Sequence, residues 1–213
     1  VVRMPLGGGR SSAAQHSQSI HAWAAHIPGV KVVLPSTAGE AKGLLKTAIR
    51  DNNPVMFFEH KMLYTTKFDD VPEVEEDVCI PFGQARIVQE GDDITVVTNS
   101  MMTIKATKAV KKLAQEGIHA ELIDLRTIVP LDTETIIKSV KKTGKLLIVD
   151  EGHIDFGISG EIATRIMPDV FYDLEAPVQR LGTGNVPLPF SPALEFPLIP
   201  DEKTIAAKIR EMV

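Results

Sequence analysis

The spacing of apolar residues changes repeatedly along the chain, and each change predicts an element. In residues 17–27, Ile20, Trp23, Ala24 and Ile27 fall at i, i+3, i+4 and i+7, one face of a helix. Pro28-Gly29 stops it. Residues 30–34 are valine-rich and nearly all apolar, and Pro35 follows, a pattern that predicts a strand covered on both faces. Thr37 and Glu40 have capping-box spacing, in which a hydroxyl and a carboxylate each satisfy a free backbone N–H. The helix they open carries Ala41, Leu44, Leu45, Ala48 and Ile49 on one face. Asp51-Asn52-Asn53-Pro54 ends it, and residues 55–58 form the next strand. Helix, strand, helix, strand with short connections is the grammar of a parallel α/β sheet.

Residues 69–77 break this pattern with six acidic residues, one proline and no base. Such a stretch self-repels and builds no core. It reads as a linker over residues 69–79, with a solvated loop inside one domain as the alternative. Over residues 80–213 the alternation resumes. Strands are expected at 85–89, 94–98, 120–125, 146–149 and 178–181. Asn99 or Ser100 can cap a helix with Ala106, Ala109, Val110, Leu113 and Ala114 inward. Asp132 caps one with Ile136, Ile137 and Val140, residues 160–167 form another, and Asp201 caps a last one with Ile205, Ile209 and Met212. The expected core takes in Val96, Val97, Val110, Leu113, Leu122, Ile123, Ile137, Leu147, Ile148 and Ile162, and a unit of this size can fold alone. Residues 1–68 differ. Their strands are too apolar to face water, so they are expected to be an incomplete domain that docks on another chain or is the less stable part.

Charge and composition narrow the class. The 213 residues carry a net charge of −5, with 44% hydrophobic and 24% charged residues. An acidic chain without a Lys/Arg cluster argues against nucleic acid as the main ligand. Apolar runs such as residues 146–149 fall far short of the roughly 20 residues of a membrane helix, so no membrane partner is expected. Cys79 is the single cysteine, which excludes an internal disulfide and a Cys-based zinc cluster. The opening Val1-Val2-Arg3-Met4-Pro5 reads as the end of a buried strand running into Gly7-Gly8-Gly9, not as a secretory signal. A chain that opens inside a strand is expected to be a piece of a longer one. Its cysteine usage fits the cytoplasm or an organelle matrix.

Candidate chemistry starts with His16, in Gln15-His16-Ser17-Gln18-Ser19. It follows a glycine-rich loop and is expected at a helix start, where α/β sheets put ligand chemistry and the helix dipole favours neutral imidazole. A catalytic or ligand role and a capping role both fit. His21 and His26 lie five apart, against the four of a helical metal pair, and His60, His119 and His153 are scattered. Gly7-Gly8-Gly9 can bring backbone close to a phosphate, or serve as a flexible loop. Neither it nor Gly157-Ile158-Ser159-Gly160 nor Gly182-Thr183-Gly184 completes a nucleotide fingerprint. Asp150-Glu151 ends a buried strand where ligands dock, or is simply solvated there. The proline-rich residues 186–192 predict an extended strap.

Several runs then carry a resemblance. Gln15-His16-Ser17-Gln18-Ser19, Ala25-His26-Ile27-Pro28-Gly29-Val30-Lys31-Val32-Val33, Pro35-Ser36-Thr37, Ala41-Lys42-Gly43-Leu44-Leu45, Ala48-Ile49-Arg50-Asp51 and Asn53-Pro54-Val55 resemble the β subunit of 2-oxo acid dehydrogenase E1 components. That family includes the pyruvate, branched-chain 2-oxo acid and acetoin dehydrogenases. Asp124-Leu125-Arg126-Thr127, Pro130-Leu131-Asp132, Ala176-Pro177-Val178, Pro189-Phe190-Ser191-Pro192 and Leu194-Glu195 agree. The resemblance implies an α/β fold, with a three-layer α/β/α transketolase C-terminal-like domain (residues 80–213) after the end of a transketolase pyrimidine-binding-like domain (residues 1–68).

It also implies a thiamin-diphosphate-dependent enzyme component that decarboxylates a 2-oxo acid, or cleaves acetoin, with acyl transfer to lipoamide. Trp23 and the Ala-Ala-Gln-His context lean toward the pyruvate or acetoin members. His16 matches the family histidine implicated in proton transfer during acyl transfer. Ala48, Asp51 and Asn53 match a loop that binds potassium, largely through backbone carbonyls, in some members; a plain helix stop reads equally well there. The family's cofactor-activating glutamate and stacking aromatic lie upstream of the matched residues, and magnesium and diphosphate belong to the partner α subunit. Implied partners are that E1 α subunit, a second β subunit, the lipoyl acyltransferase (E2) core and a small 2-oxo acid. The implied compartment is the bacterial cytoplasm or a mitochondrial or plastid matrix. The isolated chain is expected to be inactive. An assembly module of the same origin is the alternative, and an independent nucleotide-binding protein is a third reading that lacks its fingerprint.

Overall fold

In the computed structural model residues 1–66 and 78–213 are described, and the acidic stretch at 69–77 lies outside them. Two sheets form. In the first, β1 (Val2–Leu6), β3 (Val55–His60) and β2 (Lys31–Val33) lie side by side and parallel. A strand from the far half of the chain, β7 (Thr127–Val129), completes this sheet antiparallel to β2. The second sheet has the order β4 (Arg86–Gln89), β6 (Ala120–Asp124), β5 (Ile94–Thr98), β8 (Leu146–His153), β9 (Gln179–Thr183). Its pairings are parallel except that of β4 with β6.

The helices are α1 (Ala13–His16), α2 (His21–Ala25), α3 (Ala38–Arg50), α4 (Ser100–Ala114), α5 (Thr133–Thr143), α6 (Ile158–Val170), α7 (Pro192–Glu195) and α8 (Glu202–Met212). The central strands of the second sheet alternate between two covered faces. Val96, Leu147 and Val149 pack with α4 and α8, while Val97, Leu146 and Ile148 pack with α5 and α6. This is the expected three-layer α/β/α arrangement. Every expected core residue is buried except Ile137, which is half-buried. The first sheet does not stand apart: Leu6, Val32, Leu34 and Phe58 share one core with Val97, Ile123, Ile136 and Ile162.

Three expectations change. The opening strand exists, but as a sheet edge with Val1 and Val2 about half exposed rather than buried; Pro5, with no N–H to give, is tolerated there. The helix expected over residues 17–27 covers only His21–Ala25, and His21 and Ala24 are its buried residues. Trp23 is 75% exposed and Ile27 is exposed as well, because a buried histidine takes the inward position that periodicity assigned to apolar residues. On α3, Ile49 also faces water.

A polar cluster ties the two sheets together. Thr37 caps α3 as expected, its hydroxyl accepting from the Glu40 N–H at 3.2 Å. The Glu40 carboxylate goes elsewhere. It accepts from Ser36 N–H (3.2 Å) and Ser36 Oγ (2.6 Å), and pairs with Arg126 (2.8 Å) and Arg86 (2.7 Å). Burial opposes its charge, but Arg86, Ser36 and Arg126 outweigh that and hold it below the usual carboxylate range. Ser36 Oγ also touches Asp124 Oδ2. A hydroxyl has one proton. Given to Glu40, it leaves Asp124 facing a lone pair, and the contact closes when Asp124 itself carries a proton. Burial, then the Glu40 charge, push the Asp124 carboxyl up to about 7.

The sign of the pH effect follows. The folded chain keeps the Asp124 proton where an unfolded aspartate has lost it, so this group's contribution to stability falls as pH rises from about 4 toward about 7. Asp124→Asn keeps an N–H donor toward Ser36 and cannot ionise. Its melting temperature relative to the unsubstituted chain should therefore rise between pH 5 and pH 8. The same difference at both pH values would show Asp124 ionised throughout.

Candidate functional site

Two adjacent carboxylates on β8 organise the site. Asp150 and Glu151 are both buried, and each meets a buried histidine from the first 66 residues. His21 Nε2 lies 3.0 Å from Asp150 Oδ2, and Asn99 Nδ2 donates to Asp150 Oδ1 at 3.0 Å. His60 Nε2 lies 2.8 Å from Glu151 Oε2. The His60 Nδ1 accepts from Met62 N–H at 3.2 Å, so Nε2 carries the proton given to Glu151. Burial disfavours charge on His21, Asp150 and Glu151, yet their partners win. His21 is raised by Asp150 above its usual range, Asp150 is lowered, and Glu151 is pulled down to about 2, chiefly by His60.

The glycine-rich loop is docked on the same carboxylates. Gly8 N–H donates to Glu151 Oε1 at 2.7 Å, and Ser19 Oγ reaches the same oxygen at 3.2 Å. Gly9 N–H and Ser11 N–H donate to the two oxygens of buried Glu195 at 2.9 and 2.7 Å. Gly7 has φ +98°, and a Cβ there would sit 2.1 Å from His60 Nε2, so this backbone must be glycine. The loop's amides are thus spent on protein carboxylates rather than on a phosphate. The Asp150-Glu151 pair, read from sequence as a docking edge or a solvated strand end, is an internal anchor. Its histidine partners carried no sequence signal, because the pairing joins residues 91 and 129 positions apart.

His16 is exposed and sits at the last residue of α1, not at a helix start. Its backbone carbonyl accepts from Lys61 Nζ. Ala48, Asp51 and Asn53 lie apart from it at the end of α3. Asp51 N–H donates to the Ala48 carbonyl at 3.3 Å, and the Asp51 carboxylate accepts from Asn53 N–H and Nδ2, both at 2.8 Å, and from Lys31. Lys31, then Asn53, pull Asp51 down to about 2. That side chain therefore serves the helix end, and carbonyl oxygens are what the loop offers a cation. No cluster of three or more His, Cys, Asp or Glu suited to a metal occurs among the described residues.

Thiamin diphosphate would need a carboxylate free to bond its pyrimidine. Among the described residues the buried carboxylates Glu40, Glu121, Asp124, Asp150, Glu151 and Glu195 all have protein partners. The buried side-chain atoms left without one include Ser17 Oγ and His21 Nδ1, and none is a carboxylate oxygen. These residues do not by themselves fit the cofactor. Beside them a cleft of about 1000 Å³ opens between α2 and the start of α6, with Trp23 and a fully exposed Phe156 among its lining residues.

Glu151→Gln should release either His60 or the loop, because a carboxamide offers one acceptor oxygen where the carboxylate offered two. A hydrogen bond to a charged acceptor contributes about 1.5–3 kcal/mol. Urea unfolding at pH 7 should show a loss of that order, and a loss below about 1 kcal/mol would mean the pair carries little.

Comparison with known proteins matches residues 83–205 to the transketolase C-terminal domain and residues 1–67 to the transketolase pyrimidine-binding domain. The chain is 46% identical, over 212 residues, to the pyruvate dehydrogenase E1 component subunit beta of Rickettsia felis. It is 43% identical to the 2-oxoisovalerate dehydrogenase subunit beta of Bacillus subtilis. It is 45% identical to the acetoin:2,6-dichlorophenolindophenol oxidoreductase subunit beta of Cupriavidus necator. These alignments cover 99–100% of this chain, which spans 62–64% of the length of those relatives. In fold it is similar to a solved split-gene transketolase, with a TM-score of 0.75, 24% identity, and coverage of 99% of this chain and 65% of that one. The two matched domains, in this order on this topology, mean that the chain belongs to the transketolase family.

Proposed function

We propose that the chain is part of the β subunit of a thiamin-diphosphate-dependent 2-oxo acid dehydrogenase E1 component. The observation that carries this reading is unbroken similarity along the whole chain to β subunits named for pyruvate, 2-oxoisovalerate and acetoin. Their near-equal identities support a substrate class, a small 2-oxo acid or acetoin, rather than one member of it. In the assembled enzyme the reaction is oxidative decarboxylation, or acetoin cleavage, with acyl transfer to lipoamide. Thiamin diphosphate, with magnesium on the α subunit, is held outside the residues described. The carbonyls of Ala48, Asp51 and Asn53 take a potassium ion. Residues 1–68 and 80–213 act as two domains joined by residues 69–79. The compartment is the bacterial cytoplasm or an organelle matrix, in keeping with bacterial relatives and one from Arabidopsis thaliana named mitochondrial.

His16 is the acid/base group of this reading. Its ring is exposed while its backbone is held, so a ring nitrogen can give or take a proton as the acyl group moves. In the assembled α/β complex, His16→Ala should slow lipoamide acylation by about 10²–10⁴ while leaving cofactor affinity within a few-fold. Stopped-flow acylation and a cofactor titration read the two effects. Normal acylation in the variant removes the role.

The partners are the E1 α subunit, a second β subunit and the lipoyl acyltransferase core. Two large exposed aromatics that line one cleft, Trp23 and Phe156, support a subunit contact there. Trp23→Asp should leave the far-ultraviolet circular dichroism of the chain unchanged and make the complex sediment as smaller species. An unshifted sedimentation profile would put the contact elsewhere.

A further inference from the structure

The segment that carries His16 is a closed loop whose backbone N–H groups go to two buried carboxylates, Gly8 to Glu151 and Gly9 and Ser11 to Glu195. Gly7 N–H donates to the Gln18 carbonyl at 3.2 Å and closes its neck, as in a compact Ω-loop. Within it Gly7, Gly9, Ser11 and Ala13 all have positive φ, at +98°, +85°, +52° and +57°. Alternating left-handed residues turn successive N–H groups toward one point and make a concave anion-binding nest. Here the anion is the Glu195 side chain. One oxygen takes Gly9 N–H, and the other takes Ser11 N–H and Ser11 Oγ (3.3 Å). Glu195 is fully buried, at the end of the one-turn helix α7, and it reaches across from the far end of the chain. Ser11 and Ala13 hold left-handed conformations that cost non-glycine residues about 1–3 kcal/mol each and persist when the surroundings over-determine them. At Ser11 the carboxylate supplies that determination, five residues before His16.

We propose that Glu195 is a positioning residue: its carboxylate fills the backbone nest of residues 9–11 and so fixes where His16 stands for proton transfer. This rests on the reading of His16 as the acid/base group. A merely space-filling Glu195 would tolerate glutamine, which has nearly the same shape. The nest would not, because a carboxamide has one acceptor oxygen and would turn its NH₂ toward a second N–H donor.

The test uses the assembled α/β complex with Glu195→Gln and Glu195→Ala. Two readouts are taken: amide hydrogen exchange over residues 8–13, and the kcat and KM of lipoamide acylation. In E195Q, exchange should be faster in that segment alone, with kcat down about 10- to 100-fold, the scale of a small misplacement of a reacting group. KM for the 2-oxo acid should change less than about two-fold, on the same argument that orientation rather than substrate binding is lost. In E195A, added acetate should restore part of both the protection and kcat, because a free carboxylate can re-enter the nest, whereas chloride at equal ionic strength should not. Should E195A fail to fold, E195Q carries the test. Unaltered exchange and acylation in E195Q overturn the proposal. Faster exchange with normal acylation overturns it too when His16→Ala is impaired. When His16→Ala is also normal, the reading of His16 has failed and the positioning role falls with it.

Discussion

Two neighbouring carboxylates buried at the end of a central strand impose the constraint on which the rest of this structure depends. A buried charge without partners costs far more than a domain's net stability can absorb. Asp150 and Glu151 sit on β8 between covered faces, so their partners must come from outside their own sheet. Asn99 gives Asp150 one bond, and His21, His60, Gly8 and Ser19, from the first 66 residues, supply the others. Satisfying two charges thereby fixes the end of β3, the start of α2 and the glycine-rich loop against the second sheet. The apolar contacts of Leu6, Val32 and Phe58 add area but little direction, since burial of apolar surface is non-directional. The two carboxylates and the donors aimed at them supply the register.

That division explains how an exposed histidine can be held in a fixed place without being buried. Its loop makes few apolar contacts of its own. Instead its backbone N–H groups go to Glu151 and Glu195, its neck is closed at Gln18, and its last carbonyl is taken by Lys61. Backbone donors and carboxylate acceptors hold position more tightly than side-chain packing does, because charged acceptors give shorter and stronger hydrogen bonds. The His16 imidazole stays outside that network, exposed to solvent.

The sequence was most readable where one face of an element decides its place. The 3.6-residue period gave α4, α5 and α8, short apolar runs gave β5, β6 and β8, and all of the expected core but Ile137 is buried. Caps at Thr37, Asp132 and Asp201 are where the sequence put them. Reading failed where a polar residue took a buried position or an apolar one stayed in water. His21 displaced the expected helical face, leaving Trp23 exposed, and β7 was invisible because three residues that pair with a strand almost a hundred positions away carry no period. At the site, sequence marked His16 and the glycine loop but not Glu195, His21 or His60. Their roles depend on contacts spanning from about 90 to about 190 positions, and nothing local in residues 186–196 foretells that Glu195 turns inward. A usable signal did exist in Ser11 and Ala13, small residues after a glycine run, for loops of that kind form nests that require an anion.

The same physics bears on why polar rather than apolar groups join the two halves. Replacing a buried ion pair by well-packed hydrophobic residues is often neutral or stabilising, so these pairs are poor evidence for stability as such. What they provide is a penalty for every wrong docking. A shift of the glycine loop by one residue would leave Glu195 facing one donor instead of two and would bring the Gly7 backbone away from the His60 ring it must clear. A purely apolar contact would accept that slip at small cost. For a loop that holds one exposed ring in place through its backbone, discrimination among nearly isoenergetic dockings matters more than total binding strength. The buried carboxylates are the elements of this chain able to supply it.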